Sequence, residues 1–412
     1  MKTFKSALIR ILPLLAVIGP GIIAGSADND AGGITTYSLS GGLFGYGMLW
    51  ILFLTTFALA ITQEIGARMG LVTGKGLAAL IREKFGVRWT TFIMAVLLIA
   101  NLGTIAAEFA GIAAAMEIVH ISKFVSVPLF VIGVYFLILK GNFKRLEKIF
   151  LVSSAFYLIY IISAFVGKPD WGLALKSLVI PHITPTKAYI LTAIAVVGTT
   201  ITPWGQFFIQ DYVVDKKLTQ DDINIERGDV LLGAFITNFI SFFIVVACAA
   251  TIFASGLAIH DAKDAAVALQ PLVGNFAALL FAFGLLNASF FGASIVPLST
   301  SYVITEAFGF EGGLNFSFRE APQFYGLLAF LLLFGGILTI LPFIPLLFIL
   351  FITQAINAVL LLPILVFVYL LANDKKLLGK YANNKFVNGI VLITFGAIAV
   401  SAILYVISAF VG

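Results

Sequence analysis

Three carboxyl side chains lie where a carboxylate is expensive to keep. Of the 20 Asp and Glu residues, Asp28, Asp30 and Glu108 fall well inside long apolar runs, and Glu64 sits close to the end of another. A carboxylate near the centre of a bilayer costs a few kcal/mol on insertion scales, and such residues mark ion paths or proton relays. Arg10 and Arg68 sit only at the ends of these runs and no Lys or Arg lies in a run interior, so the acids must hold a proton or face a mobile cation. Asp28 and Asp30 flank a Gly-rich interruption, where freed backbone carbonyls add oxygen. Around this interruption and a second one the polar side chains are Asp28, Asn29, Asp30, Thr199, Thr200, Thr202 and Gln206. Asn238, Gln354 and Asn357 lie in other apolar runs, the last two three residues apart and so on one helical face. All of them offer oxygen. Met1, Met48, Met69, Met94 and Met116 lie elsewhere, and His120, His182 and His260 fall in connections or at run ends. Soft sulfur and imidazole select transition metals, whereas all-oxygen sites suit Mg, Ca or Mn. Magnesium keeps several waters, so a cavity of carboxylates and amides fits it as a hydrated ion. The residues read as a divalent-cation site with Asp30 the principal anionic ligand. Asn29, Thr199, Thr202, Gln206, Asn238, Gln354 and Asn357 are candidate neighbours, and Glu108 is a proton-carrying or structural acid. Asn238 also suits a plainer role as a hydrogen bond between helices.

The elements that hold these residues follow from composition. The chain has 412 residues, 61% apolar or aromatic and 11% charged, with a mean hydropathy of +1.08. A soluble domain carries about 25% charged residues, so collagen-like, coiled-coil, disordered and disulfide-scaffold readings all fail. Nucleic-acid binding fails too, because the net charge of +5 comes from basic residues at the ends of apolar runs. Cys248 is the single cysteine, which excludes a disulfide framework or cysteine metal cluster. Spanning a hydrocarbon core of about 30 Å takes about 20 apolar residues. Eleven such runs lie near 8–40, 43–68, 89–118, 124–140, 146–166, 188–214, 230–256, 273–305, 323–341, 344–371 and 387–410. The first and sixth are interrupted. No small-residue cleavage site closes the first run, which reads against a cleavable signal peptide. The longest connections, Lys168–Lys187 and Lys216–Asp229, leave no room for a soluble domain, so residues 1–412 read as one membrane domain. All but five of the 25 Lys and Arg residues fall on one side when the N-terminus is placed inside. The five are Lys123, Lys168, Lys176, Lys187 and Lys263. This bias sets a cytoplasmic N-terminus and an outer C-terminus at Gly412.

The two interruptions occupy matching places. The first run carries Gly19-Pro20-Gly21 and then Ser26 to Gly33; the sixth carries Gly198-Thr199-Thr200-Ile201-Thr202-Pro203-Trp204-Gly205. Pro203 removes a backbone donor, and non-helical backbone at membrane depth is tolerated only when buried in protein or lining a cavity. Breaks at the head of each of two five-span halves, about 8–166 and 188–371, point to an inverted-repeat transporter with a midplane site. The span at 387–410 is additional.

The chain also resembles the NRAMP family of divalent-metal transporters along nearly its whole length. The likeness rests on Gly19-Pro20-Gly21, on the long stretch from Gln63 to Lys75, and on Ala107-Glu108. It continues through Ala234-Phe235-Ile236-Thr237-Asn238 and Asn373-Asp374-Lys375-Lys376-Leu377-Leu378-Gly379. The resemblance implies an all-α, LeuT-like fold of eleven transmembrane helices and alternating access. It places Asp30 on the family's metal-binding Asp, Glu108 on an acid linked to proton movement, and Asn238 and Gln354 near the metal. The chain departs from the pattern where Ala31 and Gly33 replace the Pro and Asn of the first motif. Thr202-Pro203-Trp204 stands where the family has Met-Pro-His, Ile209 stands at a second family His, and Ile105 at an acid. Loss of the Met sulfur and most titratable groups is similar to the NRAMP-related magnesium transporters.

The expectation is therefore a secondary transporter, not an enzyme, in the cell membrane. It passes Mg²⁺ and Mn²⁺ without obligatory proton symport, with no cofactor and no obligatory protein partner. A proton-coupled Mn²⁺/Fe²⁺ symporter is the nearest rival. A sodium-coupled organic-solute carrier of the same fold has little use for two acids at one break. An intramembrane aspartyl protease needs two Asp on different helices, which Asp28 and Asp30 are not.

Overall fold

The computed structural model describes residues 29–140, 157–270, 274–314 and 316–411. Within them the chain is helical throughout. The long elements are α1 (Ala31–Phe44), α2 (Leu49–Thr73), the short α3 (Leu77–Phe85), α4 (Val87–Ile118), α5 (Lys123–Lys140), α6 (Leu158–Val166) and the short α7 (Trp171–Ser177). They continue with α8 (Lys187–Thr200), α9 (Pro203–Asp215), α10 (Ile223–Cys248), α11 (Ala277–Phe308), α12 (Pro322–Ile340), α13 (Leu346–Ala372), the short α14 (Lys375–Leu378) and α15 (Lys385–Val411). Nine helical stretches among the described residues are long and apolar enough to cross a membrane. They match the second to fourth and sixth to eleventh expected spans. The first half of span one, with Asp28 and Gly19-Pro20-Gly21, and the start of span five lie outside the described residues.

Local chemistry explains where these helices start and stop. Gly74, at φ +64°, ends α2 with its N–H on the Gly70 carbonyl, a left-handed cap that glycine adopts without strain. The charged stretch after it folds into α3, whose Leu77, Ala78, Leu80 and Ile81 are buried while its charges face out. Arg82 pins α3 to the end of α11 by donating to the Ala307 carbonyl at 2.9 Å. Thr186 caps α8, accepting from the Tyr189 N–H at 3.1 Å.

The helices sort into two packed groups. One consists of α1, α2, α9 and α10; the other is α4 with α11 and α12, and α13 packs on both α4 and α8. Only 28% of α5 and 17% of α15 are buried in their apolar windows, which places both at the lipid-facing periphery.

The break in span six is narrower than its Gly and Pro content suggests. Gly198, Thr199 and Thr200 remain helical, and only Ile201 (φ −116°, ψ 85°) and Thr202 (φ −81°, ψ 143°) leave helical geometry. Thr200 Oγ1 bonds back to the Val196 carbonyl at 2.6 Å, which keeps the turn closed. Gly198 serves close approach instead: a Cβ there would collide with the Gln354 carbonyl oxygen and come within 2.7 Å of the Ala358 nitrogen. Gly198→Val should force α8 away from α13 at a cost of about 1–3 kcal/mol. Thermal unfolding in detergent should show a Tm lowered by several degrees, and an unchanged Tm would contradict this contact.

Candidate functional site

Asp30 caps the start of α1. Its backbone is extended (φ −72°, ψ −174°), and its Oδ1 accepts the Gly33 N–H at 2.7 Å. An aspartate at this position satisfies one of the orphan amides of the new helix and complements its dipole. Asp30 is 3% exposed. The Glu108 carboxyl of α4 lies against it and accepts the Ala31 N–H through Oε2 at 3.4 Å. Two carboxyl groups in such contact hold a proton or a cation between them. Glu108 itself rests on α11, where a Cβ on Gly292 would collide with its carboxyl group.

The amide side chains of α13 close over the same turn. A Cβ on Gly32 would overlap the Gln354 Nε2, so this glycine seats the carboxamide against the first turn of α1. Asn357 donates to Thr104 Oγ1 at 2.9 Å and to Gln354 Oε1 at 3.4 Å. Asp30, Glu108, Gln354 and Asn357 thus come together between α1, α4 and α13, with Thr104 behind them. Glu108 Oε1 and Asn357 Oδ1 are buried without a hydrogen-bond partner.

The other expected residues are distributed around this core. Asn29 is adjacent, but its side chain is engaged: Nδ2 donates to the Thr237 carbonyl at 3.2 Å and Thr237 Oγ1 at 3.0 Å, and Oδ1 accepts from Ser241 at 3.0 Å. Asn238 points its amide back along α10 to the Ala234 carbonyl at 3.3 Å, leaving Oδ1 unpartnered. Thr199 Oγ1 is buried and unpartnered, one residue from Thr200, which bonds Tyr37 of α1 at 2.9 Å. Thr202 caps α9, accepting the Gly205 N–H at 3.3 Å. Gln206, one turn on, is 2% exposed with Nε2 unpartnered. Asp28 lies outside the described residues.

Several residues that shape the site were not among the candidate site residues of the sequence. Tyr157 donates to the Asn29 carbonyl at 2.7 Å, fixing one of the oxygens freed at the break. Thr237 and Ser241 hold Asn29, and Thr104 holds Asn357. The i, i+4 pair Thr237 and Ser241 in the apolar second half of α10 was the available signal, since it marks one polar face beside Asn238. Tyr157 and Thr104 carry no such pattern.

Charge is the distinguishing feature. Arg68 is the only buried basic side chain among the described residues, and it pairs with Glu64, so among those residues the Asp30–Glu108 pair has no fixed counter-charge. Among the described residues no three His, Cys, Asp or Glu side chains converge as a conventional metal cluster. The site is instead two carboxyls among carboxamides and hydroxyls.

A helical membrane protein with a broken sixth span and a buried aspartate capping the start of α1 has the architecture of the LeuT-like transporters. The chain belongs to the Nramp family: the family described as natural resistance-associated macrophage protein-like matches residues 21–408. A divalent metal cation transporter MntH of Burkholderia ambifaria is 27% identical over 310 residues, covering 72% of this chain and 69% of that protein. The MntH of Caldanaerobacter subterraneus is 24% identical over 319 residues, covering 74% and 75%. Among solved structures, the Eremococcus coleocola manganese transporter in complex with an aromatic bis-isothiourea substituted compound has a TM-score of 0.78 at 19% identity, covering 96% of this chain and 86% of that one. A nucleobase-cation-symport-1 family transporter in a closed conformation has a TM-score of 0.61 at 13% identity, covering 96% and 91%. At these identities the structural likeness defines the fold.

Proposed function

We propose that this protein is a multi-pass transporter of divalent metal ions, not an enzyme, and that the ion passes through the site at the two helix breaks. The observation that carries this reading is the buried Asp30–Glu108 pair, set among oxygen donors and without a basic partner among the described residues. Transport of divalent metal is also what the names of the MntH relatives and the manganese transporter state for those proteins. In this reading Asp30 supplies the principal charge, with Asp28, Asn29, Thr199, Thr202, Gln206, Asn238, Gln354 and Asn357 as inner- or outer-sphere neighbours. Asn29 would contribute through its backbone, its side chain being held by α10.

We further propose that Mg²⁺ and Mn²⁺ both pass, without obligatory proton symport. Thr202 offers a hydroxyl where sulfur would disfavour a hard ion. Trp204, Ile209 and Ile105 leave few groups for a proton relay, with Glu108 the titratable residue beside the site. Downhill entry needs no proton, since 100 mV supplies about 2.3 kcal/mol per charge. The test is uptake of Mg²⁺, Mn²⁺ and Ca²⁺ into proteoliposomes holding a metal-sensitive dye and a pH dye. Mg²⁺ and Mn²⁺ entry without internal acidification is expected. Acidification that tracks metal entry would establish the proton-coupled manganese alternative, and exclusion of Mg²⁺ at millimolar concentration would refute the selectivity.

A further inference from the structure

Two stretches picked out by the sequence play no part in the metal site: Gln63–Lys75 at the end of span two, and Asn373–Gly379 after span ten. The structure joins their neighbourhoods. One face of α2 lies directly on α9, since a Cβ on Gly66 would stand 2.8 Å from Ile209 Cγ2 and one on Gly70 2.9 Å from the Gln210 carbonyl. From the same segment Arg68, 4% exposed, reaches the chain beyond span ten. Its Nη2 donates to Asn383 Oδ1 at 2.7 Å and its Nη1 to the Tyr381 carbonyl. Its Nε donates to Glu64 Oε2 at 3.2 Å, and Glu64 Oε1 accepts from Arg227 Nε of α10 at 2.7 Å.

The acceptor side is rigid. The Asn383 N–H donates to the Ala372 carbonyl at 2.9 Å, its Nδ2 to Asn388 Oδ1 at 2.9 Å, and Asn388 Nδ2 to Asn373 Oδ1 at 2.6 Å. Residues 381–383 are thereby fixed to the end of α13 and the start of α15. Arg68 is carried by α2, which packs chiefly on α9 and α10 and only lightly on α13, α14 and α15, whereas α13 packs chiefly on α4 and α8. The fork of a guanidinium is suited to such a multi-acceptor contact, and lysine, a point charge, is not.

We propose that Arg68, Glu64 and residues 381–383 form a latch that holds the inner side closed and is released when α2 swings with α9 and α10. This rests on the transporter reading above. Glu64 is 15% exposed and Arg227 44%, so water reaches the charges on opening and neither is stranded dry, as it would be in a deep static bridge. Charge-assisted hydrogen bonds of this kind are strong enough to bias a two-state equilibrium severalfold when one is removed.

The test uses a reporter that does not depend on transport. Val303 of α11 is fully buried in the inner apolar cluster with Met69 of α2 and Phe207 of α9. In a Cys248→Ala background, Val303→Cys should react slowly with a membrane-impermeant maleimide applied from the inner side. Adding Asn383→Ala, or separately Arg68→Lys, should raise the labelling rate about fivefold or more with Tm unchanged. Unchanged labelling in both variants would overturn the latch, as would a rise accompanied by a lowered Tm, which marks a static staple. Failure of the unmodified protein to move any divalent ion would overturn the transport reading alone.

Discussion

Asp30→Asn should abolish divalent-ion uptake, lowering the rate by at least about 100-fold, while expression and Tm stay close to those of the unmodified protein. The two outcomes separate because Asp30 does two jobs. Asparagine caps a helix about as well as aspartate, so the bond to the Gly33 N–H and the start of α1 survive. What disappears is the charge. At an effective dielectric constant of about 20, two unit charges 4 Å apart interact by about 4 kcal/mol, and a divalent ion doubles this. A loss of 100-fold needs only about 2.7 kcal/mol, so the substitution exceeds the requirement even after screening. Proteoliposome uptake of Mn²⁺ and Mg²⁺ checks it, and uptake near the normal rate would remove Asp30 from the ion's path.

Thr202→Met is the second large effect. Thr202 is 1% exposed and sits at the break of span six. Replacing its hydroxyl with a thioether introduces a soft donor at the place where the family pattern has methionine. The preference for Mn²⁺ and Cd²⁺ over Mg²⁺ should rise by about tenfold or more, measured as the ratio of uptake rates in competition. The same substitution removes the acceptor for the Gly205 N–H, so α9 should lose about 1 kcal/mol of capping and Tm should fall slightly. A lowered Tm with unaltered ion preference would mean that Thr202 caps the helix without facing the ion.

The spans were legible because twenty apolar residues in a row have few alternatives, and nine of them are present where hydropathy placed them. The same rule overlooked α3, whose nine residues are too short and too charged to register against a membrane scale. Glycine was the ambiguous letter. Gly198 and Gly32 read as helix breakers, yet the structure uses both for close approach to Gln354, one from each broken span. A sequence states that a side chain is missing without stating what fills the space. For the site, residue type and position within apolar runs singled out Asp30, Glu108, Gln354 and Asn357 as candidates, and the structure places them where α1, α4 and α13 meet. Asn29 shows where that reasoning stops. Its amide looked like a ligand, but two hydroxyls on α10 occupy it, a fact that depends on the rotation of one helix against another. Tyr157 was invisible for the same reason, since its role is set by the approach of span five to a carbonyl 128 residues away.

The most direct measurement is the position of the ion itself, by anomalous scattering from crystals of the protein grown with Mn²⁺. The account predicts a peak beside the Asp30 carboxyl, between the start of α1 and the Ile201–Thr202 break, that is lost in Asp30→Asn crystals grown the same way. A peak elsewhere in the membrane domain, or one beside residue 30 that persists in Asp30→Asn, would contradict it.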